Sequence, residues 1–244
     1  MKLYIFPVEK ECNASCRFCI TKHRNLYSGF LDADSFEKSL NNLSIEKIEI
    51  TGGGEPFLHP NLEKIVHTCL KYFPTQLYTN GSLIRGNEDF AGLDYFCISR
   101  AHYSDSNNKK IMGISQNIKE ARKFKIPIKF SLLLHKNGIN NPGDVVKYFN
   151  WAEKVGASKV VVRQLIPGEG SYKAIFLSEF VSAKEVFDNL KIKTYTKSKE
   201  GADFDYKDME VSFKYTPVSC ECENLFLHAN GLLGGTHDID RKRD

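Results

Sequence analysis

The stretch "ECNASCRFCI", residues 11–20, places three cysteines within eight residues. Cys12, Cys16 and Cys19 follow a C-x3-C-x2-C spacing, and cysteines at such short spacings are typical of metal centres. Two kinds of centre fit this loop. A structural zinc site would take His23 as its fourth ligand, whereas an iron–sulfur cluster held by three thiolates would keep one iron free of protein ligands.

A glycine-rich stretch further along the chain offers room for a ligand on such an open iron. The segment "ITGGGEPFL", residues 50–58, ends an apolar run that predicts a strand and continues into Gly52, Gly53 and Gly54. Glycines let backbone carbonyls and amides approach a ligand closely. The cysteine loop also follows a predicted strand, so we expect both loops to open on the same face of a βα fold.

Apolar runs of strand length alternate with longer stretches of helical period. This alternation is typical of βα units around a parallel sheet. Six such units are too few for a closed eight-unit barrel, so the predicted fold class is α/β, a partial (β/α)6 TIM-like barrel. The predicted strands are 3–8, 47–51, 76–80, 95–100, 128–135 and 159–165, and the predicted helices are about 34–43, 60–72, 107–123, 142–155 and 182–190.

The pattern changes towards the C-terminus. We expect residues 1–175 to form the barrel core and residues 176–244 to form a helix and a small β extension. The alternating segments "MEVSFKY" and "ENLFLHA" predict a short antiparallel hairpin that caps the open side of the barrel. Three helix starts carry N-terminal signals, which are Asp34 with Glu37, Asn141 before Pro142, and Ser182 with Glu185.

Composition limits the classes of function. The 244 residues include 41% hydrophobic residues, enough for a buried core, and the net charge of +4 gives no strong signal for nucleic acid. The apolar run at the N-terminus is too short for a signal peptide or a membrane span, so we expect a cytoplasmic protein without a membrane partner. Seven cysteines without an export signal favour free or metal-bound thiols over disulfides.

The two motifs together resemble the radical SAM superfamily. "CNASCRFC" has that family's cysteine spacing with an aromatic residue, Phe18, before the last cysteine, and "GGEP", residues 53–56, follows the second predicted strand as it does in the family. The resemblance implies a [4Fe-4S] cluster on Cys12, Cys16 and Cys19, with S-adenosylmethionine (SAM) on the fourth iron. It further implies reductive cleavage of SAM to a 5′-deoxyadenosyl radical, with an electron donor such as flavodoxin or ferredoxin.

The resemblance also implies residues for the SAM pocket. Gly53, Gly54 and Glu55 would cradle the amino group of SAM, largely through backbone oxygens, and Phe18 would lie near the adenine. The remaining residues implied for SAM are Thr79 and Asn80 at the edge of the pocket, Ser99 at the ribose and Arg163 at the carboxylate.

The substrate side is predicted from polar residues near the strand ends. Arg100 and His102 are the leading candidates for catalytic or substrate contacts, and with their basic neighbours they favour an anionic substrate. A loose likeness to viperin, which acts on a nucleoside triphosphate, points towards a nucleotide-like small molecule. Further candidates at the same rim are Lys22, His23, Arg24, His135 and Glu169.

Four cysteines lie outside the loop. Cys220 and Cys222 resemble the C-terminal cysteines of the molybdenum-cofactor cyclase, but their C-x-C spacing and the absence of a third cysteine leave a second cluster poorly supplied, and a role in the active site stays open. Cys69 and Cys97 are expected in the apolar core. Two other functions remain open, a peptide-modifying radical SAM enzyme and a non-enzymatic, zinc-stabilised binding protein.

Overall fold

A computed structural model describes residues 1–24, 26–168, 170–197, 200–215 and 224–235 of the chain. These residues form a mixed α/β fold. The strands are β1 Lys2–Ile5, β2 Val8–Glu9, β3 Gly29–Phe30, β4 Lys47–Ile50, β5 Thr75–Thr79, β6 Tyr95–Ser99, β7 Ile128–Leu134, β8 Ala157–Gln164, β9 Thr196–Lys197, β10 Gly201–Tyr206, β11 Met209–Lys214, β12 Leu225–Leu227 and β13 Leu233–Gly234. The α-helices are α1 Leu62–Leu70, α2 Asp105–Met112, α3 Ile118–Ala121, α4 Pro142–Lys154, α5 Ser171–Glu179 and α6 Ala183–Leu190, and the 3-10 helices are Ile20–His23, Phe36–Leu40, Pro56–Leu58 and Arg122–Phe124.

One sheet of 11 strands organises the molecule, in the order β13-β12-β1-β4-β5-β6-β7-β8-β11-β10-β9. The six strands predicted from the sequence are β1 and β4 to β8, which lie side by side and parallel, so the core of the predicted barrel is confirmed. Strand β2 pairs with β3 in a separate two-stranded sheet beside the cysteine loop. No helix within the described ranges is long and apolar enough to cross a membrane.

The C-terminal segments join both sides of the barrel sheet instead of pairing with each other. Strand β11 forms an antiparallel pair with β10 and a parallel pair with β8, whereas β12 runs parallel to β1. The predicted hairpin between "MEVSFKY" and "ENLFLHA" is therefore wrong. Both parts predicted from the sequence, 1–175 and 176–244, contribute strands to the same sheet, which has eight neighbouring parallel strands from β12 to β11.

The helices depart from the prediction at three places. The predicted helix 34–43 is a 3-10 turn, and Asp32 rather than Asp34 binds the local backbone and Ser35. The predicted helix 107–123 is broken, because α2 ends at Gly113 in the left-handed conformation. Helix α5 was not predicted. The caps at Asn141 and Ser182 are confirmed, since each side chain accepts a hydrogen bond from the backbone three residues later.

Alternation along the strands separates two faces. The outer face packs against the helices, as Ile48 and Ile50 of β4 and Phe130 of β7 do in the main core. The inner face is polar: Lys129 of β7, although buried, donates to Gln76 and to the hydroxyl of Tyr78 at 2.9 Å. The barrel therefore has an apolar outer layer and a polar interior.

Candidate active site

The cysteine loop and the carboxyl ends of three parallel strands surround a cavity of about 230 Å³. The cavity lies at the end of the sheet where βα barrels place their sites. It combines both sequence motifs with the ends of β5 and β6 and with Ser131 in the middle of β7. Its lining residues are Cys12, Ala14, Cys16, Phe18, Cys19, Thr51, Gly52, Gly54, Glu55, Pro56, Tyr78, Thr79, Asn80, Ser99, Arg100, Ala101, Met112 and Ser131.

The three cysteines of the loop share one wall of this cavity. The sulfur of Cys12 accepts a hydrogen bond from the backbone of Ala14 at 3.4 Å. Burial raises the pKa of the Cys12 thiol, and burial followed by the charges of Cys19 and Cys12 raises the pKa of Cys16 to about 12. Such thiols ionise readily only beside a positive charge, which a metal centre provides. Three soft sulfur ligands on one wall fit an iron–sulfur cluster.

The fourth ligand of the alternative zinc site is engaged elsewhere. The Nδ1 atom of His23 lies 2.8 Å from the hydroxyl of Ser171, and its ring packs 5.4 Å from the ring of Tyr172. His23 therefore packs against α5, and the predicted zinc ligand is not retained.

The glycine-rich loop lies directly against the start of the cysteine loop. The amide of Lys10 donates to the carbonyl of Gly53 at 3.1 Å, and the amide of Glu55 donates to the carbonyl of Glu11 at 2.9 Å. A Cβ atom on Gly54 would lie 2.1 Å from the carbonyl oxygen of Glu11, so only glycine permits this approach. The two motifs thus form one continuous wall.

The carboxylate of Glu55 ties this wall to the end of β5. It is 2% exposed, and it accepts hydrogen bonds from the Thr79 hydroxyl at 2.6 Å, the Asn80 amide at 2.7 Å and the Phe57 amide at 3.1 Å. Burial raises the pKa of this carboxyl, although the three hydrogen bonds act to lower it. Both of its oxygens are therefore occupied, and they hold the glycine-rich loop against the end of β5.

Gln116 connects the ends of β5 and β6 and was not predicted from the sequence. Its amide nitrogen donates at 2.6 Å to the carbonyls of both Asn80 and Ser99, and its oxygen accepts from Arg100 at 3.0 Å. The predicted helix 107–123 would have placed Gln116 inside a regular helix. The break at Gly113 instead turns it back onto the strand ends, where it fixes two predicted SAM residues.

Arg100 and His102 do not form the predicted basic rim. The Arg100 guanidinium is buried, donates to the carbonyls of His102 and Tyr103 and to Asp105, and stacks 4.2 Å from the centre of the Trp151 ring. The His102 ring accepts from the Ser104 amide at 2.9 Å, and burial lowers its pKa. Both side chains stabilise the turn after β6, and Arg100 also lines the cavity, so a substrate contact of either residue stays a prediction.

Phe18 lies beside the cavity on a supported loop. Its ring packs 4.7 Å from that of His135, which is 2% exposed, and its carbonyl accepts from the Tyr172 hydroxyl at 3.2 Å. His135 pairs with Glu179 at 3.7 Å, and burial lowers the pKa of the imidazole. His135 therefore supports Phe18 and does not line the cavity.

Other predicted residues occupy different positions. Lys22 donates to the carbonyl of Cys16 at 3.4 Å, and Arg24 closes the 3-10 turn after the loop. Arg163 lies on β8 outside the cavity lining. Cys69 and Cys97 are both fully buried as predicted, although the thiol of Cys97 faces Gln76 on the polar inner side. Glu169, Cys220 and Cys222 lie outside the described residues.

Residues 8–149, more than half of the chain, match the model of the radical SAM superfamily. The chain belongs to the radical SAM superfamily. Members of this superfamily are enzymes that use a [4Fe-4S] cluster and SAM, and the donor set and cavity of this radical SAM chain fit both groups. The non-enzymatic, zinc-stabilised alternative is thereby overturned.

Two proteins of known role or structure resemble the chain, one over a part of it and the other over its whole length. An alignment of 84 residues is 32% identical to the antilisterial bacteriocin subtilosin biosynthesis protein AlbA of Bacillus subtilis (strain 168), covering 33% of this chain and 18% of AlbA. Streptococcus suis SuiB bound to the precursor peptide SuiA has a TM-score of 0.71 at 13% identity, covering 100% of this chain and 61% of SuiB. SuiB bound to SAM has a TM-score of 0.70 at 14% identity, covering 100% of this chain and 62% of SuiB. The chain spans less than two thirds of both proteins, and its likeness to SuiB is one of fold.

Proposed function

We propose that this chain binds SAM on a [4Fe-4S] cluster at the cavity and starts radical chemistry on a substrate held inside the barrel. The observation that carries the proposal is the convergence of the cysteine loop, the glycine-rich loop and the ends of β5 and β6 around one cavity. When bound, the cluster and SAM supply the reductive cleavage of the sulfur–C5′ bond that yields a 5′-deoxyadenosyl radical.

The protein's own residues hold and orient these groups. Cys12, Cys16 and Cys19 would ligate three irons, and the backbone of the glycine-rich loop would receive the amino group of SAM. Phe18, on the cavity wall, would pack near the adenine. Fixed positions matter because a radical must meet only its intended hydrogen atom. Further proposed SAM contacts are Gly53, Gly54, Glu55, Thr79, Asn80 and Ser99.

The Gln116 hydrogen bonds support the outer edge of the same pocket. By binding the carbonyls of Asn80 and Ser99 together, Gln116 fixes the separation of two strand ends that would contact SAM. We assign it a positioning role. An external one-electron donor such as flavodoxin or ferredoxin would reduce the cluster.

We propose a peptide as the substrate. The names of two similar proteins favour a peptide. AlbA is a bacteriocin biosynthesis protein, and SuiB has been solved with a precursor peptide. The prediction of a nucleotide-like substrate rested on a basic rim. The two leading residues of that rim, Arg100 and His102, make hydrogen bonds within the turn after β6. A peptide therefore has more support than a nucleotide.

The cofactor proposal is tested by loading the protein with iron and sulfide without oxygen. We expect about four irons per chain and a cluster signal in electron paramagnetic resonance for the wild type, with both strongly reduced in Cys12→Ala. Cys69→Ala is the matched control because Cys69 is buried in the core. Equal iron in the Cys12→Ala protein would contradict the proposed ligand set.

The substrate is tested with an extract of cells grown in deuterated medium. The loaded enzyme is incubated with the extract and unlabelled SAM, and deuterium in 5′-deoxyadenosine is measured by mass spectrometry. Protease treatment of the extract should abolish the transfer and phosphatase treatment should not. The opposite pattern would replace the peptide with a phosphorylated small molecule.

A further inference from the structure

Two cations lie side by side on β8 and β11 at the end of the strands nearest the cavity. Arg163 and Lys214 are partners in the parallel register of these strands, and both are partly buried. The alternate residues on the same strands, Val162 and Phe213, belong to the main core under the helices. Arg163 and Lys214 therefore face the inner side of the sheet.

The same pair of strands carries a matched ion pair at its other end. Lys159 and Glu210 are also register partners, and their charged groups meet at 2.9 Å. At the cavity end, neither Arg163 nor Lys214 has a hydrogen bond or an ion pair from its side chain to any described residue. Like charges on neighbouring strands destabilise a sheet, and no described residue offsets the charge of this pair.

The charge of Arg163 also acts on Tyr78, a residue of the cavity wall. Burial raises the pKa of the Tyr78 hydroxyl, and the guanidinium of Arg163 acts on it in the opposite direction. Tyr78 and Ser131 line the cavity, and Ser131 lies on β7, the strand next to β8. The two cations thus occupy the inner wall beyond the cavity, on strands at the far side of the sheet from β1.

We propose that Arg163 and Lys214 bind an oxyanion of the substrate, a carboxylate of an acidic peptide residue or a phosphate. This inference rests on the proposed function, since it places the substrate on the inner wall facing the SAM pocket, and it moves Arg163 from the SAM carboxylate to the substrate. An arginine fork beside a lysine suits an oxyanion, and a bound anion would offset the repulsion between the two cations. Sites that sacrifice stability for binding are typical of functional surfaces.

The test measures thermal midpoints of the iron-loaded protein in two arms, one with inorganic phosphate and one with N-acetylglutamate methylamide. We expect at least one anion to raise the midpoint of the wild type by about 2–4 °C, the shift that corresponds to roughly 1 kcal/mol in a chain of this size. The shift should be lost in Lys214→Gln and in Arg163→Gln and kept in Lys159→Gln. Without anions, Lys214→Gln should melt higher than the wild type. The more effective anion identifies the source of the oxyanion.

An unshifted wild type in both arms, or a shift that survives in Lys214→Gln and Arg163→Gln, would overturn the inference. The milder Arg163→Lys variant keeps the charge, so it should keep part of the shift. It provides a second test if Arg163→Gln does not fold. Formation of 5′-deoxyadenosine by the same wild-type preparation is measured in parallel. Its absence would refute the proposed function, whereas its presence with an unchanged anion response refutes the oxyanion site alone.

Discussion

The turn after α2 supports the cysteine loop at a position that tolerates no side chain. Gly113 has φ +75°, and a Cβ atom there would lie 1.9 Å from the Ser15 hydroxyl, 3.1 Å from its Cβ and 3.4 Å from its amide nitrogen. Ser15 lies between two proposed cluster ligands, and its amide donates to the carbonyl of Met112 at 2.8 Å. Gly113→Ala should therefore both strain the turn and displace the loop.

The magnitude follows from two contributions. A left-handed alanine costs about 1–2 kcal/mol, and an overpacked contact adds about 1–3 kcal/mol. Gly231→Ala is the matched control, because Gly231 has φ +81° but a Cβ atom there would meet nothing within 4 Å. We expect Gly113→Ala to lose about 2–5 kcal/mol and Gly231→Ala about 1–2 kcal/mol of the free energy of unfolding in urea.

Iron content separates displacement of the loop from general instability. After anaerobic loading, Gly113→Ala should bind clearly less iron per chain than the wild type, whereas Gly231→Ala should bind as much. Adding Ser15→Ala to Gly113→Ala removes the closest contact and should restore part of both losses. If the two glycine variants lose the same stability and bind the same amount of iron, backbone strain alone explains both. That result would refute the proposed displacement of the cysteine loop by a side chain at position 113.

Three further predictions concern buried polar groups. Arg100→Lys should lower the free energy of unfolding in urea by about 2–4 kcal/mol, because lysine cannot replace the forked buried contacts, while the exposed Arg17→Lys should change it by less than about 1 kcal/mol. Glu9→Gln should cost about 1–3 kcal/mol and speed hydrogen exchange in β12, because the buried carboxylate accepts two hydrogen bonds from the segment after that strand; unchanged exchange there would contradict it. Burial lowers the pKa of His59 below its ordinary value of 6.5, so the unfolded chain binds protons first and stability should fall as the pH drops below about 6.5. The slope of the thermal midpoint against pH should decrease in His59→Gln but not in the exposed His67→Gln, and equal slopes would contradict this.

Much of the architecture follows from local pattern. The six central strands, the cysteine loop and the glycine-rich loop were predictable because apolar runs, short cysteine spacings and glycines act within a few residues. The placement of β12 was not, since Leu3 pairs with Leu225 across nearly the whole chain. Local pattern contains no information on which distant strand completes an edge.

The chemistry of single side chains was harder to predict than the site itself. Arg100 follows a strand end where substrate contacts are common, but its position over Trp151 and its bonds to the following turn depend on tertiary packing. Gln116 was missed because its role depends on the break at Gly113. The position of Arg163 beside Lys214, with no partner for either among the described residues, became visible only with the register of β8 and β11.

The measurement that tests the central claim most directly is the amount of 5′-deoxyadenosine formed from SAM by the loaded and reduced protein without oxygen. We predict that the wild type and Cys69→Ala form it and that Cys16→Ala does not, since Cys16 would ligate the cluster and Cys69 lies in the core. Formation by Cys16→Ala at the wild-type rate, or no formation by a wild type that carries its full iron, would contradict the account.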